Sequence, residues 1–155
     1  IWMRRPKKLN YIQKKLIDIN YHIYGSTKYL EEHGFPKTIN ELNKHKFISY
    51  GKGAPSPVFN PDWALKLGMK DGKKRKPIMK VNSVYGLLLA VQSGVGLASL
   101  PDYITMSVPN ITKVISNIEG PKTEAFFVYP ESLKNVARLK VFRNFLYSKI
   151  SEWKF

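Results

Sequence analysis

The apolar and polar positions of the chain alternate between strand-like and helix-like spacing. The sharpest segment is Val81-Asn82-Ser83-Val84-Tyr85-Gly86-Leu87-Leu88-Leu89-Ala90-Val91-Gln92-Ser93-Gly94, followed directly by Val95-Gly96-Leu97-Ala98-Ser99-Leu100-Pro101. Val84, Leu87, Leu88 and Val91 recur at helical spacing. Asn82 or Ser83 is placed to cap that helix, because a side-chain oxygen there accepts from a free N–H of the first turn. Gly94 stands where a helix ends in the left-handed conformation. Residues 97–100 form a short apolar run that suits a buried strand, and Pro101 stops it. Tyr85, Leu89 and Ala90 make the helix apolar on its second side as well. A helix of that kind is covered twice, either in a central core or against another subunit.

The flanking pattern extends the series. Residues 1–4 read as the end of a buried strand, and Arg5-Pro6-Lys7-Lys8 as a basic turn. Ile17, Ile19, Tyr21 and Ile23 alternate with Asp18, Asn20, His22 and Tyr24, which predicts one strand ending at Gly25. Ser26 or Thr27 then opens a short helix carrying Tyr29 and Leu30, with Gly34 after it. Thr38-Ile39-Asn40-Glu41 has the form of a capping box, in which hydroxyl and carboxylate each accept from the other residue's N–H. Residues 47–50 read as a strand, and 51–61, with two glycines and three prolines, as a loop. Residues 63–67 and 78–81 are expected as strands about a lysine-rich turn. Pro101 suits the first position of a short helix. Residues 111–115 and 125–129 complete the strands, the last ended by Pro130. Val136, Leu139, Phe142, Leu146, Ile150 and Trp153 fall on one stripe of a closing helix. Strands alternating with helices give an α/β class with a parallel or mixed sheet.

Composition adds a class and a question. Apolar residues make up 43% of 155 residues, enough for a globular core. No apolar run reaches the roughly 20 residues of a membrane span, and no signal peptide is visible, which implies a cytoplasmic protein without membrane contact. Cysteine is absent, in keeping with a reducing compartment. The formal net charge is +15, from 26 basic and 11 acidic residues. That balance favours polyanions, anionic ligands or an acidic partner, although a lysine-rich codon bias gives it too. Residues 70–76 are the densest basic run, but lack the aromatics of a single-strand nucleic-acid surface and read as a solvated hairpin tip. Arg4, Arg5, Lys7, Lys8, Lys14 and Lys15 form a second cluster with the same reading.

Catalytic patterns are weak. His22, His33 and His45 have no partners at metal-ligand spacing, and His22 is expected to point outward into solvent. There is no Gly-x-Ser-x-Gly elbow and no carboxylate pair. Gly94-x-Gly96 follows its helix instead of preceding it, so it is a cap and not a phosphate loop. The chain is read as a non-enzyme with no cofactor and no metal. The better ligand candidate is the helix start at Asn82 and Ser83, where N–H groups and the dipole favour a polar or anionic group.

These residues also carry a resemblance. Val81-Asn82-Ser83 with Ala90-Val91-Gln92-Ser93-Gly94-Val95-Gly96-Leu97-Ala98-Ser99-Leu100-Pro101-Asp102-Tyr103 resembles the "V-N-S … A-V-x-x-G-x-G-I-A-x-L-P-x-Y" signature of the effector-binding (substrate-binding) domain of LysR-type transcriptional regulators. Ile1-Trp2-Met3-Arg4 is similar to that family's "D-V-A-I-R" strand. Tyr24-Gly25-Ser26-Thr27-Lys28-Tyr29-Leu30-Glu31-Glu32-His33-Gly34-Phe35-Pro36 resembles "A-S-P-x-Y-L-x-x-H-G-x-P", with Thr27 where proline is usual. Leu42 with His45 and Phe47-Ile48-Ser49-Tyr50 resembles "D-L-x-x-H-x-x-I-x-Y", and residues 142–146 the closing "F-x-x-F-L".

The resemblance implies a periplasmic-binding-protein-like (type 2) fold with two α/β lobes and an effector cleft. Residues 1–17 and 126–155 would form a partial first lobe, and 18–125 a complete second lobe. Nothing here resembles the family's winged helix-turn-helix, so DNA would be reached only through a domain absent from this sequence. The implied effector residues are Ser83 and Asn82 as donors, with Tyr50, Gly51 and Lys52, and more weakly Phe59 and Tyr103. The effector would be small and polar or anionic. The chain would form a homo-oligomer through helix 83–93. Two other readings stand beside this one: a truncated solute-binding protein of a transporter with the same fold, and a basic domain that binds nucleic acid itself.

Overall fold

A computed structural model describes residues 1–3, 5, 10–51 and 60–153. The chain packs as two compact units, residues 20–121 and residues 1–19 with 122–155.

In the larger unit the central strand is β2 (Tyr21–Ser26), flanked antiparallel by β5 (Ala98–Pro101) and β6 (Ile111–Val114). All six β2 residues are buried. The reason is cover on both faces. Ile23 packs with Tyr29, Leu42, Phe47, Trp63 and Leu97 on one side. Tyr24 packs with Ile48, Leu87, Leu88, Val91, Ala98 and Leu100 on the other. β3 (Ile48–Tyr50) and β4 (Met79–Val81) pair in parallel. A parallel bridge between Phe47 and Leu97 ties β3 to the β5 edge, with Ile48 N–H donating to Leu97 O at 2.8 Å and Leu97 N–H to Lys46 O at 2.9 Å. A Cβ on Gly96 would stand 2.6 Å from Lys46 O, so this approach needs glycine. The strands thus run in the order β4-β3-β5-β2-β6, a mixed sheet.

The helices form where the local signals place them. α1 (Thr27–His33) is capped by Ser26, whose Oγ accepts from Tyr29 N–H at 3.2 Å. α3 (Val84–Gln92) is capped by Ser83, whose Oγ accepts from Gly86 N–H at 3.3 Å, and Gly94 follows at φ 75°. α4 is a single turn (Asp102–Thr105) with Pro101 just outside it, one residue short of the expected first position. Around Thr38 half of the expected box forms. Glu41 N–H donates to Thr38 Oγ1 at 3.4 Å, but the Glu41 carboxylate accepts from Lys37 N–H at 2.7 Å, which holds it below the usual carboxylate range.

Three expectations are corrected. Residues 63–67 are not a strand: α2 (Trp63–Lys66) is one helical turn that buries Trp63, Ala64 and Leu65 in succession. Three consecutive buried side chains give no period, so a short run of this kind reads equally as strand. β4 accordingly pairs with β3 and not with residues 63–67. Secondly, the alternation across residues 17–23 spans two strands, β1 (Tyr11–Ile19) and β2, separated at Asn20. Thirdly, Arg75 is not part of a solvated tip. It is 8% exposed and stacks over Phe47, its guanidinium carbon 5.5 Å from the ring centroid. Its neighbours Lys73, Lys74 and Lys76 are exposed, as expected.

In the smaller unit β1 pairs antiparallel with β7 (Thr123–Pro130), with a shift in register between Lys15 and Ile17. Trp2 extends the pairing at Phe126 through two hydrogen bonds of 2.9 and 2.8 Å. α5 (Ala137–Ser151) lays Leu139, Leu146 and Ile150 on Leu16, Phe127 and Tyr129. Phe142 and Trp153, expected on the same buried stripe, are 49% and 45% exposed.

Candidate functional site

β3 and β4 are parallel neighbours, so their carboxyl ends meet at one edge of the larger unit. Tyr50 and Gly51 end the first, and Val81 and Asn82 end the second. Gly51 N–H donates to Val81 O at 2.8 Å, continuing the ladder by one rung. The Tyr50 hydroxyl donates to Asn82 O at 3.0 Å and bridges the two strand ends. Ser83 follows as the α3 cap, its carbonyl accepting from Leu87 N–H at 3.0 Å. Tyr50, Gly51, Asn82 and Ser83 are therefore brought together. Asn82 and Ser83 lie on the exposed rim. Lys52 and Phe59 lie outside the described residues.

Of Tyr50, Gly51, Asn82 and Ser83, Tyr50 also lines a recess of about 30 Å³, together with Val84, Leu87, Ser49, Ser99 and Tyr21. The two serines were not selected from the sequence, because the pairing that relates them is visible only in the fold. Phe47 and Leu97 face each other across a parallel bridge, and each is followed two residues later by a serine on the same face. The register sets Ser49 and Ser99 side by side. Ser99 Oγ accepts from Trp63 Nε1 at 2.6 Å, which leaves its own proton for another acceptor. Ser49 is 5% exposed, and among the described residues its hydroxyl has one long contact, 3.5 Å to Tyr50 O. Burial raises the Tyr21 phenol above its ordinary pKa, and the nearby phenols of Tyr103 and Tyr50 add to the shift. Tyr103 is itself raised by burial. Tyr21 stays protonated, so the recess offers its hydroxyl and those of the two serines beside an apolar wall.

His22 is corrected here. It is buried at 7% exposure, on the face of β2 that the α3 cluster covers. Its Nδ1 lies 2.8 Å from Asp102 Oδ1, which also accepts from the Tyr24 hydroxyl at 2.9 Å. Lys113 Nζ approaches Asp102 Oδ2 at 3.3 Å. One carboxylate thus joins β2, α4 and β6. Among the described residues no group of histidines and carboxylates is arranged to hold a metal ion. No helix among them is long and apolar enough to cross a membrane.

Residues 1–150 match the family model of the LysR substrate binding domain. The chain belongs to the LysR substrate-binding domain family. This LysR domain is 25% identical over 142 residues to the HTH-type transcriptional regulator CrgA of Neisseria meningitidis, covering 88% of the chain and 46% of the relative. It is 26% identical over 123 residues to an uncharacterized HTH-type transcriptional regulator of Haemophilus influenzae, covering 77% and 41%. The chain therefore spans less than half the length of these curated relatives. The CrgA regulatory domain superposes with a TM-score of 0.76 at 22% identity, over 96% of this chain and 73% of that one. Full-length AphB of Vibrio cholerae gives 0.68 at 14% identity, over 94% and 49%. The fold of the LysR domain is the mixed α/β, periplasmic-binding-protein-like type 2 fold. Relatives that are transcriptional regulators do not favour the transporter reading.

Proposed function

We propose that this LysR domain is the effector-sensing part of a cytoplasmic LysR-type transcription regulator and carries no catalysis. The observation that carries the reading is the convergence of Tyr50, Gly51, Asn82 and Ser83 at two parallel strand ends, with Tyr50 also lining the recess of Ser49 and Ser99. Ligands of α/β sheets bind at carboxyl strand ends, where backbone groups lack strand partners. Tyr50 positions the rim by holding Asn82 O, and Ser83 places the first turn of α3. Lys52, the residue after Gly51 in sequence, is the assigned charge partner for a small polar or anionic effector.

In this reading residues 20–121 are the second lobe, close to the 18–125 expected from sequence, and the remaining residues are part of the first. Effector binding acts by favouring one arrangement of an oligomer over another, which requires differential affinity for the two. α3 is the proposed oligomer contact, since Tyr85 is 66% and Leu89 45% exposed on the side away from Leu87, Leu88 and Val91. Sequence-specific DNA contact is assigned to the helix-turn-helix part of such a regulator.

Isothermal titration calorimetry with aromatic acids, amino-acid derivatives and sulfur compounds tests the site on the whole regulator. One class should bind, and Tyr50→Phe and Ser83→Ala should each weaken it by about tenfold, on the order of 1.4 kcal/mol. Heat that is flat across the panel, or affinity unchanged in both variants, would overturn the assignment.

A further inference from the structure

The charge of this chain is unevenly divided. Residues 1–19 and 122–155 hold thirteen basic and four acidic residues, against thirteen and seven in the nearly twofold longer segment 20–121. The acids of the smaller unit are largely committed elsewhere. Asp18 and Glu124 both pair with Lys15, at 2.7 and 2.9 Å, and Glu152 pairs with Lys149 at 3.0 Å.

Two of the other cations, Lys14 and Arg143, face each other between β1 and α5. An open groove of about 270 Å³ runs between β1 and α5, lined by Lys14, Arg143, Asn144 and Tyr147. The Tyr147 hydroxyl donates to Lys15 O at 2.8 Å, which fixes the helix against the strand and holds the groove's width. Arg143 spends one Nη2 contact on Asn144 Oδ1 at 3.3 Å and keeps its other donors. Among the described residues neither Lys14 nor Arg143 forms an ion pair with an acid. Lys140, one turn before Asn144, extends the same exposed flank.

We propose that this flank is a contact surface for the phosphodiester backbone of duplex DNA. The donor set is that of a backbone contact: an arginine fork, a lysine point charge, an amide and a phenol. The groove is open and shallow in polar cover. An open groove flanked by two cations suits a chain of evenly spaced charges better than one enclosed anion. Contacts to phosphate carry no sequence information, so the proposed contact is independent of sequence. The surface lies in the unit that does not hold the recess, so it stands whether or not an effector is found.

The test is fluorescence anisotropy of a labelled mixed-sequence duplex of about 20 base pairs, titrated with this chain between about 20 and about 200 mM salt. Binding at low salt should weaken with a log–log slope of about −0.9 for each phosphate neutralised. Lys14→Gln combined with Arg143→Gln should weaken binding by about tenfold and reduce the slope by about 2. Lys37→Gln combined with Lys70→Gln removes the same charge from exposed positions of the larger unit and should change affinity less than about twofold. Urea midpoints establish that each variant is folded, and Lys14→Gln alone, on an exposed strand position, serves if the double variant is not. Absence of binding at low salt overturns the proposal. Equal loss in the control pair does so too, by showing diffuse attraction to net charge. Displacement of DNA by submillimolar inorganic phosphate would reassign the groove to a small anion. Equal binding to phosphatidylserine vesicles, lost in the same double variant, would reassign it to a membrane surface.

Discussion

Asp102→Ala should destabilise the larger unit by about 3–5 kcal/mol, the cost of removing one partner from a buried charged network. The carboxylate is 7% exposed and accepts at once from His22 and Tyr24, with Lys113 on its other oxygen. After truncation the imidazole and the phenol remain buried without their acceptor, and a cavity replaces the side chain. The Lys113 side chain is 34% exposed and can return to water. Lys113→Met should therefore cost less than about 1 kcal/mol, in the range of exposed pairs. For a domain of this size the Asp102 loss corresponds to a melting temperature lower by on the order of 10 °C. Urea unfolding of both variants separates the two. Equal losses would show that the carboxylate is solvated and the network weak.

Arg75→Met is the second large effect, expected at about 3 kcal/mol from acceptors left unpaired in the interior. The Arg75 guanidinium donates to Asn43 Oδ1 at 2.9 Å, to Ala64 O at 3.1 Å, to Leu67 O at 2.8 Å and to Ile39 O at 3.3 Å. Burial lowers its pKa from the ordinary arginine value, but arginine keeps its proton at any accessible pH. It acts as a rivet, closing the ends of the 3-10 helix Asn40–Lys44 and α2 onto one planar group. Arg75→Lys should recover little, because three ammonium donors on a flexible stem cannot meet four acceptors set by a planar fork. Neighbouring Lys73→Met, with an exposed side chain, should fall within about 0.5 kcal/mol of the parent. Chemical denaturation monitored by tryptophan emission checks all three. A parent-like Arg75→Met would remove the rivet.

Both residues show where sequence reading stops. Alternation placed His22 opposite Ile23 correctly, but alternation predicts water on the second face only when nothing covers it. In this chain α3 covers that face, and Asp102, the acid that satisfies His22, is eighty positions away. Arg75 sat in a run of lysines of the same charge, and only the carbonyls gathered by Ile39, Ala64 and Leu67 distinguish it. By contrast α3 was legible to within one residue at its start, Asn82 or Ser83, and at its end at Gly94, because caps are local hydrogen-bond and dihedral requirements. The rim residues Tyr50, Gly51, Asn82 and Ser83 came from a family resemblance more than from periodicity. Ser49, Ser99 and Tyr21 were invisible to either, since a parallel register makes the two serines neighbours and no short window contains it. α2 failed for the opposite reason: one turn is too short to show a period.

The seam where the chain enters and leaves the larger unit has a practical consequence. Tyr21 O accepts from Gly120 N–H at 2.8 Å, and Asn20 O from Asp102 N–H at 3.0 Å. The second residue of the segment is thus hydrogen-bonded to the last but one, and the two hydrophobic clusters described above lie wholly between them. A segment with touching ends and its own core has the anatomy of a cassette. Residues 20–121 should be excisable as a free-standing protein, tolerant of circular permutation through a short linker from 121 back to 20. Cooperative urea unfolding of that cassette would show it, and a non-cooperative transition would refute it. Lineages or laboratories could then exchange the recess between hosts as one piece.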